Sequence, residues 1–167
     1  MITLTDFDPQ VVAEHHITEQ TLERVIRYVH LLQGDDAPTL RDIAVGGYYG
    51  TSALLHEVVE LDILLTRDPG LLRKESSAVQ RFFRANLDTH AEAMVVEYDY
   101  LQRIIRRLFD EEVAWGALVV ANASQEDFEL LVESGISKPL FKPKPAEIEQ
   151  ASQLLERLWA LGKEMLR

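Results

Sequence analysis

Residues 48–62 read Tyr-Tyr-Gly-Thr-Ser-Ala-Leu-Leu-His-Glu-Val-Val-Glu-Leu-Asp, "YYGTSALLHEVVELD". Wound at about 100° per residue, the part from Ala53 to Leu65 carries apolar side chains almost all round. His56, Glu57 and Glu60 gather in one arc of roughly 100°, and Asp62 lies opposite. A helix apolar on most of its circumference belongs at the centre of a bundle, so the chain is read as all-α. Its polar arc is then either a narrow window to water or the lining of an internal site.

The flanking sequence supplies helices to pack around it. On the N-terminal side, residues 18–33 place Leu22, Val25, Ile26, Val29 and Leu32 at the spacing of one helix face. Thr18 reads as the N-cap, Ile17 and Leu22 as a hydrophobic staple, and Gly34 as the stop. A short element from Thr39 to about Val45 ends at Gly46-Gly47, which signals a tight bend, with Thr51 or Ser52 expected to cap the central helix. On the C-terminal side, a helical tract runs from about Leu71 to Glu112, with a break expected where Asp88 or Thr89 precedes Glu92. Residues 115–123, "WGALVVANA", fit a buried strand or a helix equally, because so short an apolar run has no usable period. Another helix starts at Ser124 and is stopped by Gly135. The three prolines of residues 137–145 predict an extended connection held on the surface by Leu140 and Phe141. The last helix, 146–167, shows a stripe of Ile148, Ala151, Leu155, Leu158, Gly162 and Met165, suited to docking on the bundle or on a second copy as a homodimer. Trp115 and Trp159 read as core or interface anchors.

These elements are expected to form one domain over residues 1–167. Residues 1–17 would be an N-terminal extension, 136–145 the Pro-rich connection and 146–167 the closing helix. With 47% hydrophobic and 27% charged residues the composition is that of a folded globular chain. The absence of Cys removes disulfides and every thiolate metal site, leaving His and carboxylates as the only strong ligands. A net charge of −11, with Arg residues interspersed among acids, repels phosphate backbones and argues against nucleic acid. No apolar run reaches the length of a membrane span, and the acidic N-terminus lacks the basic flank of a secretion signal, so a cytoplasmic protein is expected.

Two further polar residues sit where hydrocarbon is expected. In the tract after Pro69, the apolar face runs through Val79, Phe83, Leu87, Met94, Leu101, Ile105 and Leu108, with Arg81, Arg84, Arg103 and Arg106 opposite. His90 and Glu97 lie in the middle of that face, two turns apart. An inward carboxylate needs a partner, and the nearest supplier is the arc of His56, Glu57 and Glu60. His56 and Glu60, at i and i+4, can hold a divalent metal from one helical turn, with His90 and Glu97 closing the shell and Glu57 free beside it. The plain alternative is an interaction or structural protein without metal, in which the acids face water and His90 makes an ordinary buried hydrogen bond. His15 and His16 are read as surface residues. Tyr48 and Tyr49 are read as packing residues or as the mouth of a pocket over His56. Arg103, Arg106 and Arg107 are expected to pair with nearby acids on a solvated face.

The stretch His56-Glu57-Val58-Val59-Glu60 resembles the "HExxH" helix of zincin-type metallohydrolases. That resemblance implies a divalent metal, zinc first and manganese, nickel or magnesium as alternatives, and a small-molecule or peptide substrate. His56 would be the first ligand and Glu57 the general base, with Glu60 standing where the family has its second His. A second resemblance is to all-α nucleotide pyrophosphohydrolases of the MazG type, whose first "ExxE" pair is matched by Glu57 and Glu60. Their second pair is not matched, because Tyr100 stands where the acid belongs. A ferritin-like di-iron bundle would need an "ExxH" pair, which the chain lacks.

Overall fold

The computed structural model describes residues 1–135 and 142–166, and no strand occurs among them. The helices are α1 (Pro9–Glu14), α2 (Glu19–Gln33), α3 (Pro38–Val45), α4 (Gly47–Arg67), α5 (Ser76–Ala85), α6 (Leu87–Phe109), α7 (Trp115–Asn122), α8 (Gln125–Glu133) and α9 (Pro145–Leu161). Short 3-10 turns cover Leu4–Asp6, Leu71–Arg73 and Gly162–Leu166. The architecture is all-α, as the stretch around His56 requires. Among the described residues, no helix is long and apolar enough to cross a membrane.

The apolar circumference of α4 is covered from several sides: α6 packs along it, α2 and α3 flank it, and α9 meets it near its N-terminal end. Leu54, Leu55, Val58, Leu61 and Leu64 are all buried there. The polar partners of α4 run backwards along α6, from His56 with Glu97, through Glu60 with His90, to Arg67 with Asp88, so the two helices are antiparallel. From α2 come Leu22, Val25, Tyr28 and Val29, all buried, and Thr18 caps that helix by accepting from the Thr21 amide at 3.1 Å. Ile26 and Leu32 are only part-buried, so the inner face of α2 is centred nearer Tyr28 than the apolar spacing suggests.

The start of α4 differs from expectation. Thr51 and Ser52 are inside the helix, and their hydroxyls donate back to Gly47 O at 2.6 Å and Tyr49 O at 2.6 Å instead of capping it. The helix begins at Gly47 because Gly46 and Gly47, at φ 68 and 60, turn the chain at once after α3. Close backbone approaches also demand these glycines: a Cβ on Gly47 would lie 2.0 Å from Gly162 O, and one on Gly50 3.0 Å from Ile43 O. Thr51 in addition accepts from the Asp8 amide at 2.8 Å, while Asp8 takes a hydrogen bond from Tyr100 OH at 2.9 Å. Residues 1–17 thus fold back on the bundle, with Phe7, Asp8, Val11 and Ile17 buried.

The long tract breaks at Asn86, two residues before the expected start. The Asn86 side chain donates to Phe82 O at 2.8 Å and its own carbonyl accepts from Thr89 Oγ1 at 2.7 Å, a local alternative to the helical ladder. Asp88 instead receives a two-pronged contact from Arg67, at 2.9 and 2.6 Å. Residues 115–122 are helical, resolving the strand-or-helix ambiguity, and Trp115, Leu118 and Val119 bury against the bundle. Ala151, Leu154, Leu155 and Leu158 of α9 are buried within the chain, mainly against α7, whereas Trp159 is 46% exposed. The expected contact of Leu140 and Phe141, and the side chain of Met165, lie outside the described residues.

Candidate metal centre

α4 and α6 bring the polar residues of their apolar faces together. His56, Glu57 and Glu60 are buried, at 7%, 6% and 1% exposure, and His90 is half-buried. His56 Nε2 lies 3.1 Å from His90 Nδ1 and 3.3 Å from Glu60 Oε2, and His90 Nδ1 lies 2.6 Å from the same oxygen. The far side of each ring is also engaged. His56 Nδ1 meets Glu97 Oε2 at 2.8 Å, and His90 Nε2 meets Asp127 Oδ1, from the first turn of α8, at 3.1 Å. The other oxygen of Glu60 accepts from Tyr28 OH of α2 at 2.5 Å.

The chemistry of these contacts follows from which atoms can donate. A carboxylate only accepts, so Glu97 and Asp127 place a proton on His56 Nδ1 and His90 Nε2 respectively. In the neutral rings the opposite nitrogens, His56 Nε2 and His90 Nδ1, are then lone pairs, and they converge on Glu60 Oε2. Three acceptors facing one another need positive charge between them. Protons can supply it: one on His90 Nδ1 stands within reach of both Glu60 Oε2 and His56 Nε2, and a second charges both rings, whose centroids are 4.8 Å apart. A single divalent ion satisfies all three atoms at once. Ligand atoms about 2.0–2.1 Å from a tetrahedral ion stand roughly 3.3 Å apart, so two of the three separations already fit and the Glu60–His90 pair has only to open slightly. Carboxylates behind both imidazoles are the usual support for metal-bound His, fixing tautomer and orientation.

The electrostatics agree with the geometry. Burial alone would lower the His56 pKa, but Glu97 and Glu60 overcome it and hold the ring well above its ordinary range. For His90 burial also acts downward, and the hydrogen bonds to Asp127 and Glu60 prevail, raising it to about 9. Burial works to raise Glu60, yet its contacts with the two rings hold it well below the usual carboxylate range. Glu57 differs: burial, reinforced by Glu60, pushes it up to about 8, and its Oε2 has no hydrogen-bond partner. It stands outside the group of His56, Glu60 and His90, whose ligand atoms all lie within 4.8 Å of one another.

Of the residues singled out in the sequence, His56, Glu60 and His90 converge. Glu97 reaches the cluster from behind, on the far nitrogen of His56, which makes it a support and not a ligand in this arrangement. Glu57 lines two adjoining hollows of about 370 and 210 Å³ that open beside the cluster. Tyr48 and Tyr49 line neither hollow; both pack against the core, and Tyr49 OH reaches Asn122 Oδ1 at 3.3 Å. α6 brings Glu97 but no second acid one turn on, where Tyr100 stands and donates to Asp8. Arg106 pairs with Glu112 at 2.8 Å, and Arg103 lies over the Tyr100 ring.

Two members of the site have no counterpart in the sequence reading. Tyr28 had a signal: a Tyr on the inner face of an amphipathic helix must find an acceptor for its hydroxyl. Asp127 had none, because an acid in the first turn after Ser124 is what a helix start requires in any case. No family model, no curated protein and no solved structure matches the chain.

Proposed function

We propose that this protein is a divalent-metal protein, with zinc as the first expectation, and that the centre carries out hydrolysis. The observation that supports the reading most is the meeting of His56 Nε2, His90 Nδ1 and Glu60 Oε2, each of whose side chains is fixed from behind by Glu97, Asp127 or Tyr28. Two imidazoles and one carboxylate form the ligand set of many catalytic zinc sites, which keep a fourth position open. When bound there, the ion supplies Lewis acidity, lowering the pKa of an adjacent water and polarising a substrate oxygen.

The chain's own residues supply the rest. Glu57, next to His56 on α4 and facing the hollows, is the general base, as in the "HExxH" helix that the stretch resembles. It takes one proton from the attacking water and returns it to the departing amine or alcohol, so that one water is consumed for each bond cleaved. Glu97 and Asp127 keep the imidazoles in the ligating tautomer, and Tyr28 holds Glu60 so that one oxygen is presented. Burial holds the unpartnered Glu57 carboxyl protonated to unusually high pH, and a dication beside it would return it to the ionised form a base requires.

Comparison of two substitutions tests the proposal. Glu57→Gln should retain zinc and fold but lose zinc-dependent hydrolysis of a panel of peptide amides and p-nitrophenyl esters, whereas His90→Ala should lose the zinc itself. Retention of hydrolysis in Glu57→Gln would remove the assigned base. Retention of zinc in His90→Ala would remove the centre.

A further inference from the structure

The larger hollow beside the centre, about 370 Å³, lies between the end of α2 and one face of α5. Gln80, Phe83 and Arg84 stand on that face at i, i+3 and i+4, and Leu32 and Gln33 line the α2 side. Glu57, Glu60, His90 and Asp127 complete it, and their charges are already matched or covered. Glu60 takes the Tyr28 hydroxyl and faces both imidazoles, Asp127 meets His90, and the unpartnered oxygen of Glu57 is itself buried.

The uncommitted groups of the hollow are mostly donors. Arg84 is exposed and makes no hydrogen bond or ion pair with any described residue. A third hollow, of about 390 Å³, shares Phe83, Arg84, His90 and Asp127 with the first and is bordered by Glu126, Glu129 and Glu133, yet none of these acids pairs with the guanidinium. Arg67 and Arg106, by contrast, reach their acids at 2.6 and 2.8 Å. Arg84 is the one Lys or Arg in the three hollows that border His90. Gln33 accepts from Thr39 Oγ1 at 3.0 Å through its side-chain carbonyl, so its amide N–H groups are free among the described residues. Gln80 directs its own amide to Leu32 O at 3.3 Å, covering a carbonyl at the end of α2 and leaving Oε1 as an acceptor.

A guanidinium, with five N–H donors in a planar fork, is matched by two acceptor oxygens in one plane, which a carboxylate provides. A phosphate dianion meets the same donors, but the acids of the hollow and the net charge of −11 oppose two negative charges more than one. Leu32 and Phe83 add apolar wall, and the volume is at the low end for small-molecule sites, which suits a ligand about the size of one amino-acid residue. We propose that Arg84 receives the carboxylate of the substrate, so that the bond cleaved at the adjoining centre is an acyl–nitrogen link next to a free carboxylate, as in an N-acyl amino acid or the last residue of a peptide. Hydrolysis there adds one water and yields the acyl acid and the amine that bears the carboxylate. The reaction rests on the metal reading, whereas recognition of the carboxylate rests on Arg84 and the hollow alone.

Calorimetric titration of the full chain in EDTA, where no ion can capture a carboxylate, tests the recognition with 3-phenylpropanoate, its neutral near-isostere 3-phenylpropanamide and 2-phenylethyl phosphate. The propanoate should bind at least ten-fold more tightly than the amide. Arg84→Gln, at an exposed position without a described partner, should remove that preference and leave zinc stoichiometry unchanged. Equal binding of propanoate and amide, binding of neither, tighter binding of the phosphate, or a preference that survives Arg84→Gln overturns the proposal. With zinc bound, kcat/KM for N-acetylphenylalanine should exceed that for N-acetylphenylalanine amide at least ten-fold in the wild type, and Arg84→Gln should abolish the difference. Failure to hydrolyse either compound, with the Arg84-dependent preference intact in EDTA, removes the hydrolytic reading and supports the recognition, so the two failures are distinguishable.

Discussion

Replacement of Glu57 by Gln separates electrostatics from packing at the heart of the site. In the metal-free protein the Glu57 carboxyl has its pKa raised from 4.5 to about 8, by burial first and by Glu60 next. In the unfolded chain it ionises near the ordinary value, so between pH 4.5 and 8 the native state binds more protons at this group than the unfolded state does. Stability contributed by Glu57 is therefore full below that window, falls as pH rises through it and levels off above. At about 1.4 kcal/mol per pH unit the total loss is on the order of 5 kcal/mol, an upper bound because water entering the hollows solvates the carboxylate. Gln has the shape of the protonated acid and cannot ionise. Urea melts of both proteins in EDTA should thus coincide within about 1 kcal/mol at pH 5, while at pH 8.5 Glu57→Gln should be more stable by roughly 2–4 kcal/mol. Titration of His56 and His90 affects both proteins and largely cancels in the difference. A stability difference that does not change with pH, or a variant less stable at pH 8.5, would refute the reasoning.

Tyr28→Phe leaves a buried oxygen of Glu60 without its donor and should destabilise the metal-free protein by about 1–3 kcal/mol in urea unfolding, with zinc affinity weakened as well. Glu97→Gln removes the carboxylate behind His56 and should weaken zinc binding 10–100-fold, as read by competition with a chromogenic chelator. Protons compete for the ligand nitrogens, and His90 is raised to about 9, so apparent zinc affinity should climb steadily from pH 6 to pH 9; a flat profile would exclude this ring as a ligand. Gly47→Ala combines a φ of 60° with a Cβ 2.0 Å from Gly162 O, and thermal melts should show a loss of more than about 2 kcal/mol.

The all-α architecture was legible because α4 is apolar round most of its circumference and α6 carries a long stripe, and those two patterns leave few alternatives. Element boundaries were less legible where backbone geometry overrode local propensity. The start of α4 depends on the approach of Gly47 to Gly162, more than a hundred residues away in sequence, and the break before α6 depends on one Asn side chain capturing a carbonyl. In the site, polar residues on apolar faces pointed to His56, Glu60 and His90, because burial obliges such groups to meet. The same argument identified Glu97 as an inward group but not which face of the imidazole it would take, since that depends on the axial offset of α4 and α6. Asp127 was hidden by its resemblance to an ordinary first-turn acid.

The central claim is that His56, Glu60 and His90 share one divalent ion. Equilibrium dialysis of untagged protein against a slight excess of zinc at pH 8, followed by elemental analysis, addresses it directly, with the His56→Ala/His90→Ala double variant in parallel. The account predicts one zinc per wild-type chain and none above background in the variant. Equal zinc content in the two proteins, or none in either, contradicts it.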